Sequence, residues 1–482
     1  MKDVIIAGGG AVGTSIAREL SKYKLDILLL EKNTEVCQET TKANSAIIHG
    51  GYDAEPGSLK ALLNVKGTAM FQELSKDLEF VYKKIGSMVI AFDQEDQLML
   101  EELYKRGIEN GVPGMEIIDG KRARELEPLI SEEVTAALYC KSAGIVDPFN
   151  YTYAMMENAI DNGASLETER EVIGLEKHED HILVKTDKGE YKTRYFVNAA
   201  GLNSDKLANM SGDFDFKLIP TKGIYRLLRK DPKFNLGKVL FQTPTKKGKG
   251  VLVTSTYEGN TMVGPTSEMI KELVEPIPEE ESLETLDRLS KRSIPTLDIK
   301  KTIRIFTGIR AKPDTRDFMI YASKNMEGVV HAAGIESPGL SSAPAIAIFV
   351  KDLLEEKGLK LEEKEDFNPY RKRIPRVAKL PEEEKQALIV ENDKYAEKIC
   401  RCETVSEGEV VEAINRGAVT VDGVKRRVRA GMGFCQGNYC RPKVTALLAR
   451  ELDIAEEDVK EEMHGPDLVE KYTQEMAEKI NK

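Results

Sequence analysis

The opening stretch DVIIAGGGAVGTSIARELSKYKLDILLLEK limits the folds open to this chain more than any other. A short β-branched run enters Gly8-x-Gly10-x-x-Gly13, and apolar positions at Ile16, Ala17 and Leu20 follow at helical spacing. A second apolar run, Ile27 to Leu30, ends at Glu31. Strand, glycine turn, helix, strand and terminal acid in that order form a βαβ unit for a dinucleotide. Gly8 allows the tight turn, Gly10 lets the backbone approach a pyrophosphate, and Gly13 lets the helix close on the strand with its N-terminus toward the phosphates. Glu31 falls where a ribose hydroxyl needs an acceptor. The motif alone does not decide between FAD and NAD.

At 482 residues the chain is too long for one core, and at ~100–200 residues per domain about three are expected. A formal charge of -11 argues against a nucleic-acid partner and for small ligands. The longest apolar run, the 11 residues Leu340 to Val350, is broken by Ser and Pro and falls short of the ~20 that span a bilayer. With the first strand starting almost at Met1, no secretory leader is expected and a cytoplasmic, reducing setting follows. Four of the six cysteines lie in the last fifth of the chain, as Cys400-x-Cys402 and Cys435-x4-Cys440. In that setting their clustering reads as ligation of a metal or cluster. Zinc is one candidate, although Cys400-x-Cys402 is tighter than the usual zinc knuckle. An iron–sulfur cluster is the other, because Gly431, Gly433 and Gly437 let backbone N–H groups turn toward sulfur. The stretch GVKRRVRAGMGFCQGNYCRPK carries six Lys or Arg and no acid, a charge suited to an anionic cluster or an acidic partner. Cys37 and Cys140 read as small buried residues.

Three further segments, ETTKANSAIIHGGYDAEPGSLKALL, KTRYFVNAAGLNSDKLA and GVVHAAGIESPGLSSAPAIAIFVKDLL, follow in order. Together with the first motif they resemble the FAD-dependent oxidoreductases of the D-amino-acid oxidase superfamily. The resemblance implies that Glu31 holds the adenosine ribose, with Val12, Lys32 and Thr41 in the same cofactor site. It places Asn44 and Ser45 along the pyrophosphate and flavin edge, Val172 at the adenine, and Ala200 and Gly201 close to the diphosphate. Gly334, Gly339 and Leu340 would border the isoalloxazine, with the helix starting near Ser341 aiming its positive end at the flavin. The implied fold is α/β, a discontinuous Rossmann-like FAD-binding domain at 1–80, 141–205 and 300–356. An antiparallel-sheet substrate domain would take 81–140 and 206–299, a charged linker 357–395, and a small helical [2Fe-2S]-binding domain 396–482.

The tail resembles the bacterioferritin-associated-ferredoxin-like [2Fe-2S] domain in the form fused to flavin dehydrogenases, which implies Cys400, Cys402, Cys435 and Cys440 as ligands. For chemistry, His49 in IIHGGY is a candidate general base or close flavin contact, and some relatives attach FAD covalently at a nearby histidine. Arg310 in TGIRAKPDTRDF is the candidate grip for an anionic substrate, with Lys222 and Tyr225 on the opposite wall. His178, His181, His331 and His464 look less useful. The fusion resembles the family of anaerobic glycerol-3-phosphate dehydrogenase A subunits, which implies oxidation of sn-glycerol 3-phosphate to dihydroxyacetone phosphate. Electrons would leave through the cluster to a partner protein, membrane contact coming only through that partner. HGGYDAEPGSLKA instead resembles L-2-hydroxyglutarate dehydrogenases and lacks the arginine that many glycerol-3-phosphate enzymes place after HGG. An electron-transfer subunit and a non-catalytic FAD scaffold are the remaining alternatives.

Overall fold

The structure, a computed structural model, describes residues 1–244, 250–270 and 279–461. Strand Lys2–Ala7 is apolar on both faces and takes a central place, parallel to Ile27–Leu30 on one side and Gly189–Asn198 on the other. Ser165–Glu167 and Val329–Ala333 extend the parallel set, and Met319–Ala322 ends it antiparallel. Strand alternation sorts the side chains. Val4, Ile6, Ile27 and Leu29 join a core that includes Ile16 and Leu20 of helix Ala11–Leu20, Tyr153 and Met156 of Pro148–Asp161, and Ile346 and Val350 of Gly339–Glu356. Ile5, Leu28 and Leu30 face the other way, against the ribbon Val172–Lys177 and Ile182–Thr186.

A nine-stranded sheet lies over this unit. Neighbouring strands run antiparallel except Val239–Gln242, which is parallel to Ser87–Ala91. Its longest pair is Leu218–Leu228 with Thr302–Pro313. The domain boundary expected at 300 therefore differs from the observed pairing. The chain stays in the upper sheet through Pro313, burying Ile305 and Ala311, and returns at Met319 to the sheet that holds Lys2–Ala7. Of the expected strand GKGVLVTST, Leu252–Ser255 is a strand and residues 248–249 lie outside the described residues. His464 also lies outside them.

The charged stretch read as a linker is a docked strap. Lys24 N–H donates to Glu362 O (2.8 Å) and Lys364 N–H to Lys22 O (2.9 Å). Asn158 Nδ2 donates to the carbonyls of Asn368 (3.0 Å) and Tyr370 (3.2 Å). The buried Arg371 bridges Glu157 (2.6 Å) and the Leu78 carbonyl (3.0 Å). Helix Pro148–Asp161 thus satisfies strap polar groups that a free linker would leave to water. The strap delivers Ile374 into a separate C-terminal core built from helices Glu407–Asn415, Val421–Val428 and Arg441–Leu452 and the hairpin Lys398–Cys400/Val405–Ser406. Ser406 and Glu409 close a capping box at the first of these helices.

The basic run beside the cysteines is largely an internal joint rather than a solvent face. Arg427 pairs with buried Glu35 and lies 3.9 Å from the Tyr153 ring centroid. Arg429 bonds Glu403 (3.0 Å) and Tyr257 Oη (3.1 Å), and Arg416 reaches Glu157 (3.1 Å). Of these partners Glu35, Tyr153, Glu157 and Tyr257 belong to the two larger units and Glu403 to the C-terminal domain, so the cations fasten that domain to the others, which explains their excess within an acidic chain. Among the described residues no helix is long and apolar enough to cross a membrane.

His331 is a structural histidine. Its ring is fully buried, accepts from Asn198 Nδ2 at Nδ1 (3.1 Å), and donates from Nε2 to Asp213 (3.0 Å). Asn198 also donates to the Ser204 carbonyl, so both amide protons are used and the imidazole is neutral with its proton on Nε2. Burial alone would raise the Asp213 carboxyl, but hydrogen bonds from Ser323, His331 and Ser211 outweigh it and hold it at about 2. Burial pushes His331 below its ordinary value against the pull of Asp213. Both groups bind fewer protons folded than unfolded, so stability falls with acid, first below about pH 6.5 and again below about 3.9. Asp213→Ala is expected to cost about 2–3 kcal/mol in denaturant unfolding at pH 7 and to lose the second of these slopes. An unchanged midpoint would show that the Asp213–His331 pair does not stabilise the fold.

Candidate functional site

The adenosine end is built from the first βαβ unit. Gly8 has φ +109°, and a Cβ there would collide with the Ala199 carbonyl. A Cβ on Gly13 would strike the Gly8 carbonyl oxygen, so helix and turn touch backbone to backbone. Glu31 is buried, and its carboxylate accepts from Gly9 N–H (2.7 Å), Asn33 N–H (2.8 Å) and Asn33 Nδ2 (2.6 Å). Burial raises its carboxyl, opposed by those same bonds. Gly8, Glu31, Lys32, Val172, Ala200 and Gly201 line this end, with Lys32 tied to Glu39 at 2.6 Å.

Gly10, Thr40, Thr41, Ala199 and Gly201 continue the groove into a larger cleft of about 450 Å³. Helix Ala11–Leu20 has no side-chain cap of its own, and its first N–H bonds Thr41 Oγ1 across the groove (3.1 Å). Val12, Asn44, Ser45, His49, Gly339, Leu340 and Ser341 all line the cleft. The Asn44 side chain is spent on its own loop, donating to Thr41 O (2.8 Å) and accepting from Ala46 N–H (2.7 Å). His49 is fixed through its backbone. Its N–H donates to Ser341 Oγ (2.8 Å), and its carbonyl accepts from Asn64 Nδ2 (2.8 Å) and Thr68 Oγ1 (2.6 Å). Its ring stands 5.8 Å from that of Phe241.

Arg310 lines the same cleft and bonds Ser267 Oγ (3.3 Å) and Thr266 O (3.2 Å), with no carboxylate partner among the described residues. Tyr225 stacks on Phe306 at 4.8 Å. Burial raises its phenol, opposed by Arg310 and by a hydrogen bond with Ser45. Lys222, expected on this wall, is elsewhere. Along strand Leu218–Leu228 the odd positions Thr221 and Tyr225 face the cleft, whereas Lys222 points to the opposite side and bridges Glu268 and Glu279 at 2.8 Å each. Gly334 also stays out of the cleft wall. It is a turn residue at φ +62° packed on Pro313 and Met319. Sequence reasoning missed the Asn64/Thr68 support of His49, which i, i+4 polar residues on one helix face could have signalled, and the Lys60–Glu336 pair (2.7 Å) at the cleft wall.

The four tail cysteines converge as two pairs. Cys402 and Cys435 sulfurs are 3.4 Å apart and half-buried, while Cys400 and Cys440 are 1% and 2% exposed. The Cys440 thiol and the backbone N–H groups of Gly431, Glu403 and Cys402 hold the Cys400 thiol down at about 6, a donor set that favours thiolate. A Cβ on Gly433 would collide with Cys402, so the glycine is what lets the two loops meet. Among the described residues no three His, Cys, Asp or Glu surround one point. Two thiol pairs suit a cluster of two irons, each taking two thiolates, better than one tetrahedral zinc. Cys37 and Cys140 are fully buried, and burial lifts the Cys37 thiol to about 12.

Comparison with known proteins agrees with an FAD-binding region followed by a [2Fe-2S]-binding one. Residues 3–353 match the FAD dependent oxidoreductase family, and residues 398–450 the BFD-like [2Fe-2S] binding domain. A glycerol 3-phosphate dehydrogenase of Caloramator mitchellensis is 46% identical over 96% of this chain and 97% of its own. The mitochondrial L-2-hydroxyglutarate dehydrogenase of Homo sapiens is 32% identical over 55% of this chain and 60% of its own. The solved structure of dithionite-reduced L-α-glycerophosphate oxidase from Mycoplasma pneumoniae with FAD bound superposes with a TM-score of 0.74 and 31% identity, covering 78% of this chain and 99% of that one. Gly13→Ala, which wedges helix and turn apart, is expected to weaken FAD binding at least about tenfold, or 1.4 kcal/mol. Lys222→Ala should leave it unchanged. Fluorescence titration of the FAD-free protein checks both.

Proposed function

Because the chain belongs to the FAD dependent oxidoreductase family, we propose that it oxidises sn-glycerol 3-phosphate to dihydroxyacetone phosphate and releases the electrons through its [2Fe-2S] cluster. The observation that carries this reading is Arg310, a guanidinium on the cleft wall without a carboxylate partner among the described residues, in a cleft shared with His49. A phosphate dianion matches that fork. FAD, held by the groove from Glu31 to Ser341, supplies the hydride acceptor, and the cluster supplies a one-electron outlet. His49 takes the proton of the C2 hydroxyl, its ring oriented by a backbone pinned at Ser341, Asn64 and Thr68. Tyr225 holds Arg310 in place from the side of Phe306. The N-terminus of helix Gly339–Glu356, which has no side-chain cap, adds positive potential at the flavin end of the cleft.

The half-buried Cys402/Cys435 edge is the outlet. Phe434 and Tyr439, 69% and 75% exposed, adjoin Cys435 and Cys440 in sequence, and the exposed Lys398 and Arg401 adjoin the Cys400–Cys402 pair. Exposed aromatics beside cations suit a protein acceptor with an acidic rim around an apolar centre. A 2-hydroxy acid is the second reading, favoured by Tyr52 and Asp53 standing where an arginine would follow HGG.

Anaerobic bleaching of the flavin separates the two readings. Glycerol 3-phosphate should bleach it within seconds and L-2-hydroxyglutarate should not; the reverse order would sink the proposal. Arg310→Ala should raise KM by about 2–5 kcal/mol of lost binding with little change in kcat. An unaltered KM would take Arg310 out of the substrate site. The double variant Phe434→Ala/Tyr439→Ala should keep substrate bleaching and reduction of a small dye while slowing reduction of a protein acceptor about tenfold or more. Equal slowing of both acceptors would show damage to the cluster rather than loss of a docking face.

A further inference from the structure

The segment between Glu31 and Cys37 touches two things at once. On its inner side it encloses Gly9 of the glycine turn. Glu31 accepts from Gly9 N–H (2.7 Å), Cys37 N–H donates to Gly9 O (2.9 Å), and a Cβ on Gly9 would meet Val36 at 2.8 Å. On its outer side Glu35 reaches the cluster domain. Its side chain is 1% exposed and accepts from Thr420 Oγ1 (2.9 Å), from Arg427, and from Tyr153 Oη (3.5 Å). Thr420 is the N-cap of helix Val421–Val428, so the carboxylate grips that helix at its positive end as well as through Arg427 near its last turn. Gly423 closes the contact. A Cβ at that position would land on the Glu35 carboxylate, so only glycine lets the helix seat.

We infer that Glu35 is a positioning residue coupling FAD binding to the seating of the cluster domain. The residues that fix Gly9 within the glycine turn, between Gly8 and Gly10, lie within four positions of the residue that anchors the cluster helix. An FAD-loaded turn therefore holds Glu35 in place for Thr420 and Arg427. Coupling of this kind is reciprocal: whatever factor FAD contributes to seating, seating contributes to FAD affinity. The seated cluster domain keeps a constant relation to the cofactor groove, which an electron outlet requires.

Two full-length variants with the cluster intact, verified by visible absorbance of the FAD-free protein, test this. Glu35→Gln keeps the shape and removes the charge. Gly423→Ala changes only the cluster side, and alanine is the better helix former, so the helix survives while its seat is blocked. In the wild type, FAD should slow hydrogen exchange at the amides of Val421–Val428. In both variants that protection should vanish, and FAD should bind at least about fivefold more weakly. Exchange at Val421–Val428 that ignores FAD in the wild type would overturn the inference. So would Gly423→Ala binding FAD within about twofold of the wild type, since Glu35 would then act on its own loop alone. Neither measurement uses substrate, so failure here is separate from failure of the proposed reaction.

Discussion

Backbone contact at the glycine turn is the constraint on which the rest depends. Gly13 packs on the Gly8 carbonyl, Gly8 on Ala199, and Gly9 is bonded at both its N–H and its carbonyl. None of these approaches leaves room for a side chain, so helix Ala11–Leu20 meets the ends of the central strands with its first amides turned into the groove. Everything that follows in the site is referenced to that corner. Glu31 closes one end, the helix Gly339–Glu356 the other, and the upper sheet is fastened across the top where Thr40 Oγ1 donates to the Ile309 carbonyl at 2.7 Å.

The cleft shows how strand alternation decides between structure and chemistry. Arg226 and Lys222 occupy even positions of one strand and are absorbed by Asp287, Glu268 and Glu279 on its far side. Tyr225, one residue away from Arg226, faces inward. Arg310 on the paired strand shares that inner face and keeps its donors on a hydroxyl and a carbonyl, which hold it without neutralising it. That support is what the proposed role of Arg310 toward an anionic substrate rests on.

Much of this was legible in the sequence, and the failures have physical causes. The Gly8–Gly13 unit, Glu31, the segments around His49, Ala200 and Ser341, and the paired cysteines all express local geometry, which spacing records directly. Lys222 misled because a lysine near a site looks available until its register is known, and register depends on pairing with Thr302–Pro313 some eighty residues away. The stretch 357–395 read as a linker from its charge, yet within it Arg371 and the Asn368 carbonyl are claimed by helix Pro148–Asp161. The basic residues among 423–443 likewise read as charge for an anionic cluster or an acidic partner, whereas Arg427 and Arg429 are spent inside the protein. The partners of Arg427 and Arg429, Glu35 and Tyr257, are 392 and 172 residues distant in sequence, and composition does not register them.

The central claim is that one chain carries a two-electron and a one-electron centre in communication. Anaerobic titration with limiting glycerol 3-phosphate, followed by visible absorbance and low-temperature paramagnetic resonance, tests it most directly. Two electrons on FAD and one on the cluster make about three per chain, so full reduction should need about 1.5 equivalents of substrate and develop a spin-half cluster signal. An endpoint at about one equivalent, with the flavin bleached and the cluster still oxidised and silent, would contradict the account.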